Sequence, residues 1–452
     1  MLGGSTVAAV LLIANFESGS AGKIETVAPD HIRVAVRGQS DQNHRNRQAN
    51  WYYFKLEHLT PGKPFTLDLV DLLGEYNFQA GTHAVTSNTR PVYSYDNRTW
   101  RHFTDDQVSW DGKAPQLAVR FTPEKAGIWI AHVAPYTVQD LERQLVRWRK
   151  SPYLKQETIG KSVHARDLYL LTVTDPAAPD RGKKVIWLMA RQHSWETGTS
   201  WDLQGAIDFL LSDAGQAIRR GNIFKIFPMA DPDGVVEGGV RFNANGYDLN
   251  RNWDAIDPAL MPEISAQHRA VADWVNAGHP IDLFLTLHNT ESADHIETEM
   301  ADGGPKLQAL AQRFWGLLVK ETTFYSPPGP RESGSTTTAG MKGRMTVYQG
   351  LFHDFGTPAF LMEQMVERSP KLGRCPTVED RLEFGAVLVR VLVECVAGPV
   401  APPSNAAWMP RADVGRDVDA WPELGLGAGS PGHRGRPEFG AMLLVECVAG
   451  PA

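Results

Sequence analysis

The sequence predicts a β-sandwich followed by an α/β domain with a largely buried sheet, and three observations lead to this fold class. Residues 24–135 contain short, partly alternating apolar segments separated by turn clusters, which is typical of an antiparallel sandwich. In residues 151–398 strongly apolar strands alternate with helical patterns, which is typical of an α/β domain. The 452 residues are 42% apolar, which is sufficient for a large core and more than one domain.

The individual elements follow from local patterns. In the sandwich the predicted strands are HIRVAVRG, WYYFKLEHL, FTLDLVDL, QLAVRFT and GIWIAHV. Helical spacing in YTVQDLERQLVRWRK, residues 136–150, predicts a connecting helix. In the second domain the predicted strands are KVIWLMA, IFKIFPMA, IDLFLTLH and PAFLMEQ, and the predicted helices cover roughly residues 199–212, 263–277, 306–320 and 378–396.

These elements predict three parts: a sandwich with its connecting helix in residues 1–150, an α/β domain in residues 151–399, and a tail in residues 400–452. The tail is rich in Pro, Gly and Ala, and it contains a partial repeat. Residues 383–399 read EFGAVLVRVLVECVAGP, and residues 438–451 read EFGAMLLVECVAGP. A solenoid would need more copies, so we interpret the tail as a duplicated, nonessential extension.

Composition excludes several classes of function. The net charge of −7 gives no reason to expect nucleic acid as a partner, and no apolar run is long enough to span a membrane. Three cysteines in a chain of this length do not form a disulfide framework, which favours a reducing, cytoplasmic location. The apolar run of residues 7–14 predicts a first β-strand, with a secretory signal as the alternative.

The first chemical signal is the string RQHSWETG. His193 and Glu196 have the spacing H-x-x-E and directly follow the strand KVIWLMA, so both side chains can point at one metal ion. His288 ends another buried strand and supplies a third ligand. Two nearby ligands and a distant third are typical of catalytic Zn²⁺, so we predict one Zn²⁺ per chain. The alternative is a surface His and Glu at a helix start, with His288 as a polar strand terminator.

Further polar residues also follow apolar strands. Arg241, Asn250 and Arg251 lie in residues 227–254, where they could grip a carboxylate, because arginine binds carboxylates in a bidentate manner. Alternatively, these arginines pair with the aspartates of the same segment, at positions 231, 233 and 248. Glu363 ends a strand and is a candidate general base, with Glu367 as a nearby competitor. Because open α/β sheets place their sites at the carboxyl ends of strands, we expect these residues to converge.

The motif order resembles the zinc carboxypeptidase family, the group that includes the pancreatic carboxypeptidases. The strings HSWE, PMADPDG, GYDLNRNW and TLH occur here in the order that this family shows. The strings NFESG and WYYFKL in the preceding segment resemble, more loosely, the N-terminal sandwich of the cytosolic carboxypeptidase branch. The resemblance implies a carboxypeptidase-like mixed sheet flanked by helices and the hydrolysis of C-terminal amino acids from peptides or proteins.

The resemblance also implies a role for each site residue. His193, Glu196 and His288 would bind zinc, and Arg241 would polarise the scissile carbonyl and stabilise the oxyanion. Asn250 and Arg251 would hold the substrate's C-terminal carboxylate. Glu363 would take a proton from the attacking water and pass it to the leaving amine.

Three features bear on specificity. Ser194 and Trp195 stand where the family commonly has Gly and often Pro. The family's mobile tyrosine over the bound carboxylate corresponds to Tyr348 or Tyr325. Arg344, together with a lysine at position 342, would favour an acidic C-terminal residue, unless both side chains face solvent.

Two alternative functions stay open beside the carboxypeptidase. One is a zinc-dependent deacylase of acylated amino acids, in which Asn250 and Arg251 would hold the amino-acid carboxylate. The other is a noncatalytic peptide- or glycan-binding module on an inactive peptidase scaffold. The sequence leaves the oligomeric state open.

Overall fold

The computed structural model describes residues 9–398 apart from 77, 83 and 333–341, together with the strand Leu443–Leu444. Nearly all of the repeated tail lies outside the described residues, and so do residues 338–341, the start of the stretch 338–350 that we expect to set side-chain preference. Among the helices that the structure describes, none is long and apolar enough to cross a membrane.

The N-terminal region is all β up to residue 131. Its strands are β1 (Leu11–Ile13), β2 (Ile24–Ala28), β3 (His31–Ala35), β4 (Gln39–Ser40), β5 (Arg47–Gln48), β6 (Tyr53–Glu57), β7 (Phe65–Val70), β8 (Gly74–Tyr76), β9 (Gln79–Thr82), β10 (Val92–Ser94), β11 (Arg101–His102), β12 (Val108–Asp111), β13 (Gln116–Phe121) and β14 (Ile128–Ala131). They form two five-stranded sheets, β1-β6-β14-β10-β11 and β12-β13-β7-β3-β2, with a small extra sheet from β4, β5, β8 and β9. The predicted sandwich is confirmed.

Alternation of buried and less buried residues builds the sandwich core. In β3, Ile32 and Val34 are buried while their neighbours are half-exposed, and Phe54 and Leu56 of β6 meet them in the same core. Tyr53 of β6 points the other way, into an aromatic cluster shared with the second region. One pair departs from the antiparallel pattern, because β3 and β7 run parallel.

The second region is an α/β fold, also as predicted. Its elements are α1 (Val138–Trp148), β15 (Leu154–Lys161), β16 (Asp167–Val173), β17 (Lys184–Ala190), α2 (Thr197–Leu211), α3 (Gln216–Gly221), β18 (Asn222–Phe227), α4 (Pro232–Glu237), α5 (Pro262–Asn276), β19 (Leu283–Thr290), β20 (His295–Glu297), α6 (Met300–Glu321), β21 (Pro330–Arg331), α7 (Val347–Phe355), β22 (Ala359–Met365) and α8 (Val378–Ala397), followed by β23 (Leu443–Leu444), which pairs with β8. The mixed sheet has the order β15-β16-β18-β17-β19-β22-β20-β21.

Helices cover both faces of this sheet. Ile186 and Leu188 of β17 point into a core with α1, α2, α6 and α8, whereas Trp187 and Met189 point into a core with α5 and α7. The four central strands β18, β17, β19 and β22 are parallel and almost fully buried, because both of their faces are covered. From β17 the chain goes to β18 on one side and then to β19 on the other, so the strand order reverses at β17. Ligand sites of open α/β sheets lie at such a reversal.

The two regions are joined by a mixed polar and aromatic interface. Trp195, which directly precedes α2, is buried in the aromatic cluster with Trp51 and Tyr53 of the sandwich. Asn50 Nδ2 donates to Glu291 Oε1 at 2.8 Å, and Thr86 Oγ1 donates to Glu367 Oε1 at 2.7 Å. Sandwich residues therefore contact segments that follow β17, β19 and β22.

Candidate metal centre

The segment after β17 turns at Arg191 and brings His193 and Glu196 into contact before α2 begins. Arg191 has a left-handed backbone (φ 61°), and its buried guanidinium donates to the carbonyl oxygens of Tyr136 at 2.9 Å and Ser194 at 2.6 Å. Glu196 occupies the N-cap position of α2 but makes no capping hydrogen bond with its side chain. Its carboxylate faces the two histidines instead.

His193, Glu196 and His288 converge as the H-x-x-E spacing predicts. Each offers one ligand atom, and these atoms lie within 4.8 Å of one another. His193 Nδ1 is 2.7 Å from Glu196 Oε1, and His288 Nδ1 is 3.0 Å from Glu196 Oε2. All three side chains are at most 2% exposed.

The Nε2 atom of each histidine contacts other residues of the α/β region. His193 Nε2 is 3.0 Å from Asp248 Oδ1. His288 Nε2 is 3.1 Å from Gln192 Oε1 and 3.0 Å from Thr286 Oγ1. A partner at Nε2 fixes the ring orientation and leaves Nδ1 to face the cluster, which is the usual arrangement of metal-binding histidines.

The charges of the cluster suit a cation. Although burial opposes its ionisation, the pKa of Glu196 is lowered by His193 and His288. Burial lowers the pKa of His288, which keeps this imidazole neutral and able to ligate. Burial and Arg241 also lower the pKa of His193, but Glu196 and Asp248 outweigh them, and its net shift is upward. For Asp248 burial acts upward, yet Arg241 and His193 hold its pKa well below the usual value.

The residues present fit a zinc ion. Glu196 Oε2 and His288 Nδ1 are both buried and lie 3.0 Å apart, but among the described residues neither atom makes a hydrogen bond of normal geometry. Leaving one such group unsatisfied costs about 1–3 kcal/mol, and a cation between the two atoms would satisfy both. Two imidazole nitrogens and one carboxylate are a usual donor set of catalytic zinc.

Arg241 lies beside this cluster and is tied to it through an aspartate. Its Nε donates to Asp248 Oδ2 at 2.8 Å, so one carboxylate contacts both Arg241 and His193. Of the other two aspartates considered as partners, Asp233 pairs with Arg166 and Asp231 caps α4.

Asn250 and Arg251 follow Asp248 and are buried near the start of α7. Asn250 Oδ1 accepts a hydrogen bond from the Val347 backbone N–H at 3.1 Å, which orients the amide. Arg251 Nη1 donates to the Asn250 carbonyl oxygen at 2.8 Å. The segment 248–251 thus places a guanidinium and an amide together, close to Asp248.

Glu363 lies beside His288 in the sheet. In the parallel ladder His288 pairs with Glu363, and in the antiparallel ladder His295 pairs with it. Paired residues of neighbouring strands point to the same face, so the half-buried Glu363 side chain shares the face of His288. The competitor Glu367 instead accepts a hydrogen bond from Thr86 of the sandwich.

The remaining specificity candidates occupy different faces of the sheet. Tyr348, in α7, packs on the Trp187 face, and its hydroxyl donates to Glu297 Oε2 at 3.2 Å. Tyr325 belongs to the core of the opposite face and donates to the His295 carbonyl oxygen at 2.8 Å. Arg344 is half-buried just before α7, whereas Lys342 is exposed.

Sequence reasoning missed two residues that support the site. Gln192 lies in the quoted string RQHSWETG, and its position beside a ligand was the only signal for it. Asp248 lies in GYDLNRNW and was considered only as an ion-pair partner for arginine. Gln192 contacts His288, and Asp248 contacts His193. Both contacts form only when the fold brings β17, β19 and residues 248–251 together.

Comparisons with known families agree with this geometry. A sequence model of zinc carboxypeptidases matches residues 144–294, and one of the cytosolic carboxypeptidase N-terminal domain matches residues 12–133. The first match includes His193, Glu196, His288 and Arg241, whereas Glu363 lies beyond it.

Individual relatives belong to the same group. Cytosolic carboxypeptidase 3 of Bos taurus is 25% identical over 333 residues, covering 68% of this chain and 32% of the relative. Cytosolic carboxypeptidase 2 of Xenopus tropicalis is 29% identical over 333 residues, covering 68% of this chain and 33% of the relative. The chain therefore spans about a third of the length of these curated relatives.

Solved structures share the fold over most of the chain. A metallo-carboxypeptidase from Pseudomonas aeruginosa, in complex with (2-guanidinoethylmercapto)succinic acid, is 25% identical with a TM-score of 0.72, covering 85% of this chain and 100% of that one. A metallo-carboxypeptidase from Burkholderia cenocepacia is 23% identical with a TM-score of 0.72, covering 86% and 99%. Both matches extend across the sandwich and the α/β region.

Proposed function

Because the chain belongs to the zinc carboxypeptidase family, we propose that it hydrolyses the C-terminal amino acid from peptides or proteins. The observation that carries the proposal is the convergence of His193, Glu196 and His288 beside Arg241 at one edge of the sheet. These three ligands would hold one zinc ion per chain.

Zinc, when bound, supplies a Lewis acid and lowers the pKa of a coordinated water to about 7. Glu363, on the same face as His288, is the base that takes the proton and delivers it to the leaving amine. Arg241, fixed by Asp248, donates to the carbonyl oxygen as negative charge develops there.

Asn250 and Arg251 make the proposed enzyme an exopeptidase. Their amide and guanidinium bind the free carboxylate of the last residue of the substrate. An internal peptide bond offers no carboxylate to these two groups, so internal peptide bonds are poor substrates. The Pseudomonas aeruginosa neighbour is in complex with a succinic acid derivative, whose carboxylates suit such a pair of donors.

We further propose that acidic C-terminal residues are preferred. Arg344 is half-buried directly before α7, the helix that carries Tyr348, and its positive charge would attract an acidic side chain. Tyr348 is the proposed tyrosine near the bound carboxylate, because Tyr325 packs in the core of the opposite face. The names of the curated relatives also favour a cytosolic location.

The test is the release of free amino acids from peptides that differ only in their last residue, with and without a chelator. Release should require a free C-terminal carboxylate and zinc, and should fall to background in Glu363→Gln. Glu367→Gln is the matched control, because this second carboxylate contacts Thr86 instead, and it should stay active.

Other outcomes would separate the alternatives. Release of acyl groups from acylated amino acids without peptide cleavage would indicate a deacylase. Zinc binding with neither activity would contradict the enzymatic proposal and leave a peptide-binding module. Equal rates of release for acidic and neutral C-terminal residues would contradict only the proposed role of Arg344 and leave the carboxypeptidase proposal intact.

A further inference from the structure

A glutamine of the sandwich reaches into the segment that carries Arg241. Gln39 Oε1 accepts hydrogen bonds from three successive backbone N–H groups, those of Val240, Arg241 and Phe242, at 2.8, 2.7 and 2.9 Å. Gln39 Nε2 donates to the Phe242 carbonyl oxygen at 2.8 Å. One side chain therefore makes four hydrogen bonds to three residues, and Arg241 is the middle one.

These bonds matter because residues 239–242 belong to no helix or regular strand of their own. The segment lies between the end of α4 and an isolated bridge from Phe242 to Asp248. Successive N–H groups that point to one side form a concave donor set, and buried donors need an acceptor. Gln39 is that acceptor, so a sandwich residue fixes the local backbone.

Other sandwich residues contact the backbone that directly precedes this segment. Arg37 Nη2 donates to the Gly238 carbonyl oxygen at 2.9 Å, and the Ser18 backbone N–H donates to the Val236 carbonyl oxygen at 3.0 Å. Both contacts precede Arg241 in the chain. Gln39 alone, among these three sandwich residues, contacts the backbone of Arg241 itself.

The segment also connects to the metal ligands. The Trp195 backbone N–H donates to the Val240 carbonyl oxygen at 3.1 Å, next to Glu196. Arg241 Nε is held by Asp248, which also contacts His193. With its backbone held by Gln39 and its side chain by Asp248, Arg241 has a fixed place relative to the metal ligands.

We propose that Gln39 is a positioning residue for Arg241, so that the N-terminal sandwich completes the catalytic site. The inference rests on the proposed function, in which Arg241 stabilises the developing oxyanion. Loss of Gln39 displaces Arg241 but leaves the three zinc ligands and the carboxylate-binding pair in place. The expected signature is a lower kcat with unchanged KM and unchanged zinc content.

The first experiment compares Gln39→Ala with Gln48→Ala. Gln48 is the cross-strand partner of Gln39 in the β4–β5 pair, so it controls for loss of a glutamine in the same small sheet. Gln39→Ala should lower kcat about 10- to 100-fold, because displacing a catalytic group by about 1 Å can cost up to about 100-fold in rate. Gln48→Ala should keep the kcat of the unaltered chain.

A double-mutant cycle separates positioning from general damage. In an Arg241→Ala background, Gln39→Ala should change kcat by less than about twofold, because the group that it positions is gone. Equal losses in both backgrounds would overturn the inference. Gln39→Glu, which keeps the acceptor but loses the donor to Phe242, should show an intermediate loss and serves as the second variant if Gln39→Ala folds poorly.

Hydrogen exchange tests the contact without relying on turnover. The amides of Val240, Arg241 and Phe242 should exchange faster in Gln39→Ala than in Gln48→Ala. Unchanged exchange would overturn the inference, and so would faster exchange with full kcat. If the unaltered chain shows no peptidase activity, the proposed function fails, and exchange alone decides whether Gln39 holds the segment.

Discussion

The three proposed zinc ligands and Arg241 lie at the same edge of the sheet, but different parts of the chain hold them in place. Two of the ligands follow the buried strand β17 and the third lies in β19, and their supporting contacts come from Gln192, Thr286 and Asp248 of the α/β region. Arg241 lies in an irregular segment whose backbone is held by Gln39 of the sandwich. Metal binding and transition-state stabilisation should therefore respond to different substitutions.

The largest expected effect on activity comes from substituting one of the proposed metal ligands. His288→Ala removes one of the three proposed ligands and leaves Glu196 Oε2 without its neighbour, so zinc content and peptide hydrolysis should both fall to background. His353→Ala, which removes an exposed histidine of α7, is the control and should keep both. Stoichiometric zinc and full turnover in His288→Ala would exclude this metal site.

Asp248 contacts both His193 and Arg241, so its substitution should affect both metal binding and kcat. Asp248→Ala removes the partner of His193 Nε2 and of Arg241 Nε. Loss of such a histidine partner typically lowers metal affinity about 10- to 100-fold, and kcat at saturating zinc should fall as well. Metal competition with a chelator measures the affinity, and an unchanged affinity would contradict the role of the contact between Asp248 and His193.

A steric change can disturb the sandwich contact alone. Gly246 has φ +82°, and a Cβ there would lie 2.6 Å from the Gln42 backbone nitrogen of the sandwich. Gly246→Val should lower kcat about tenfold while zinc content stays unchanged. Gly278→Val is a matched control, because Gly278 has φ +83° but nothing within 4 Å of a Cβ, so it carries the backbone strain without the clash. Similar kcat values in the two variants would contradict the interface explanation.

The smallest expected effect is on stability at the interface between the two regions. Burial raises the pKa of Glu367 to about 7, with the Thr86 hydrogen bond opposing this shift and Glu291 adding to it. The unfolded carboxyl has a pKa near 4.3, so the native state loses stability as the pH rises from about 4.3 to about 7. Glu367→Gln should remove this loss and gain on the order of 1–3 kcal/mol at pH ~8, with little change at pH ~4. Urea unfolding at both pH values measures it, and an equal difference at both would contradict the raised pKa.

The convergence of the three proposed metal ligands could be predicted from the sequence because its signals are local. His193 and Glu196 come shortly after β17, and His288 lies near the end of β19. Both strands are buried on both faces, and such strands are recognisable as continuous apolar runs. The strings PMADPDG and GYDLNRNW gave the order of the remaining motifs. The fold class could be predicted from the same alternation of strands and helices.

The sandwich contribution could not be predicted in this way. Gln39 lies about 200 residues before Arg241 in a strand of two residues, which is too short to show any periodicity. The parallel β3–β7 pair was missed because alternation of buried residues does not distinguish parallel from antiparallel neighbours. Helix α7 was missed because its segment was considered only for substrate specificity.

The burial of Trp195 between the two regions has a consequence for biosynthesis. A ribosome adds roughly 5–20 residues per second, and domains generally fold as they emerge. The sandwich is therefore available as a docking surface before Trp195 and the adjacent His193 and Glu196 leave the exit tunnel. A nascent chain that carried the α/β region without a folded sandwich would present this indole to chaperones, so the rate of release from chaperones should depend on the sandwich.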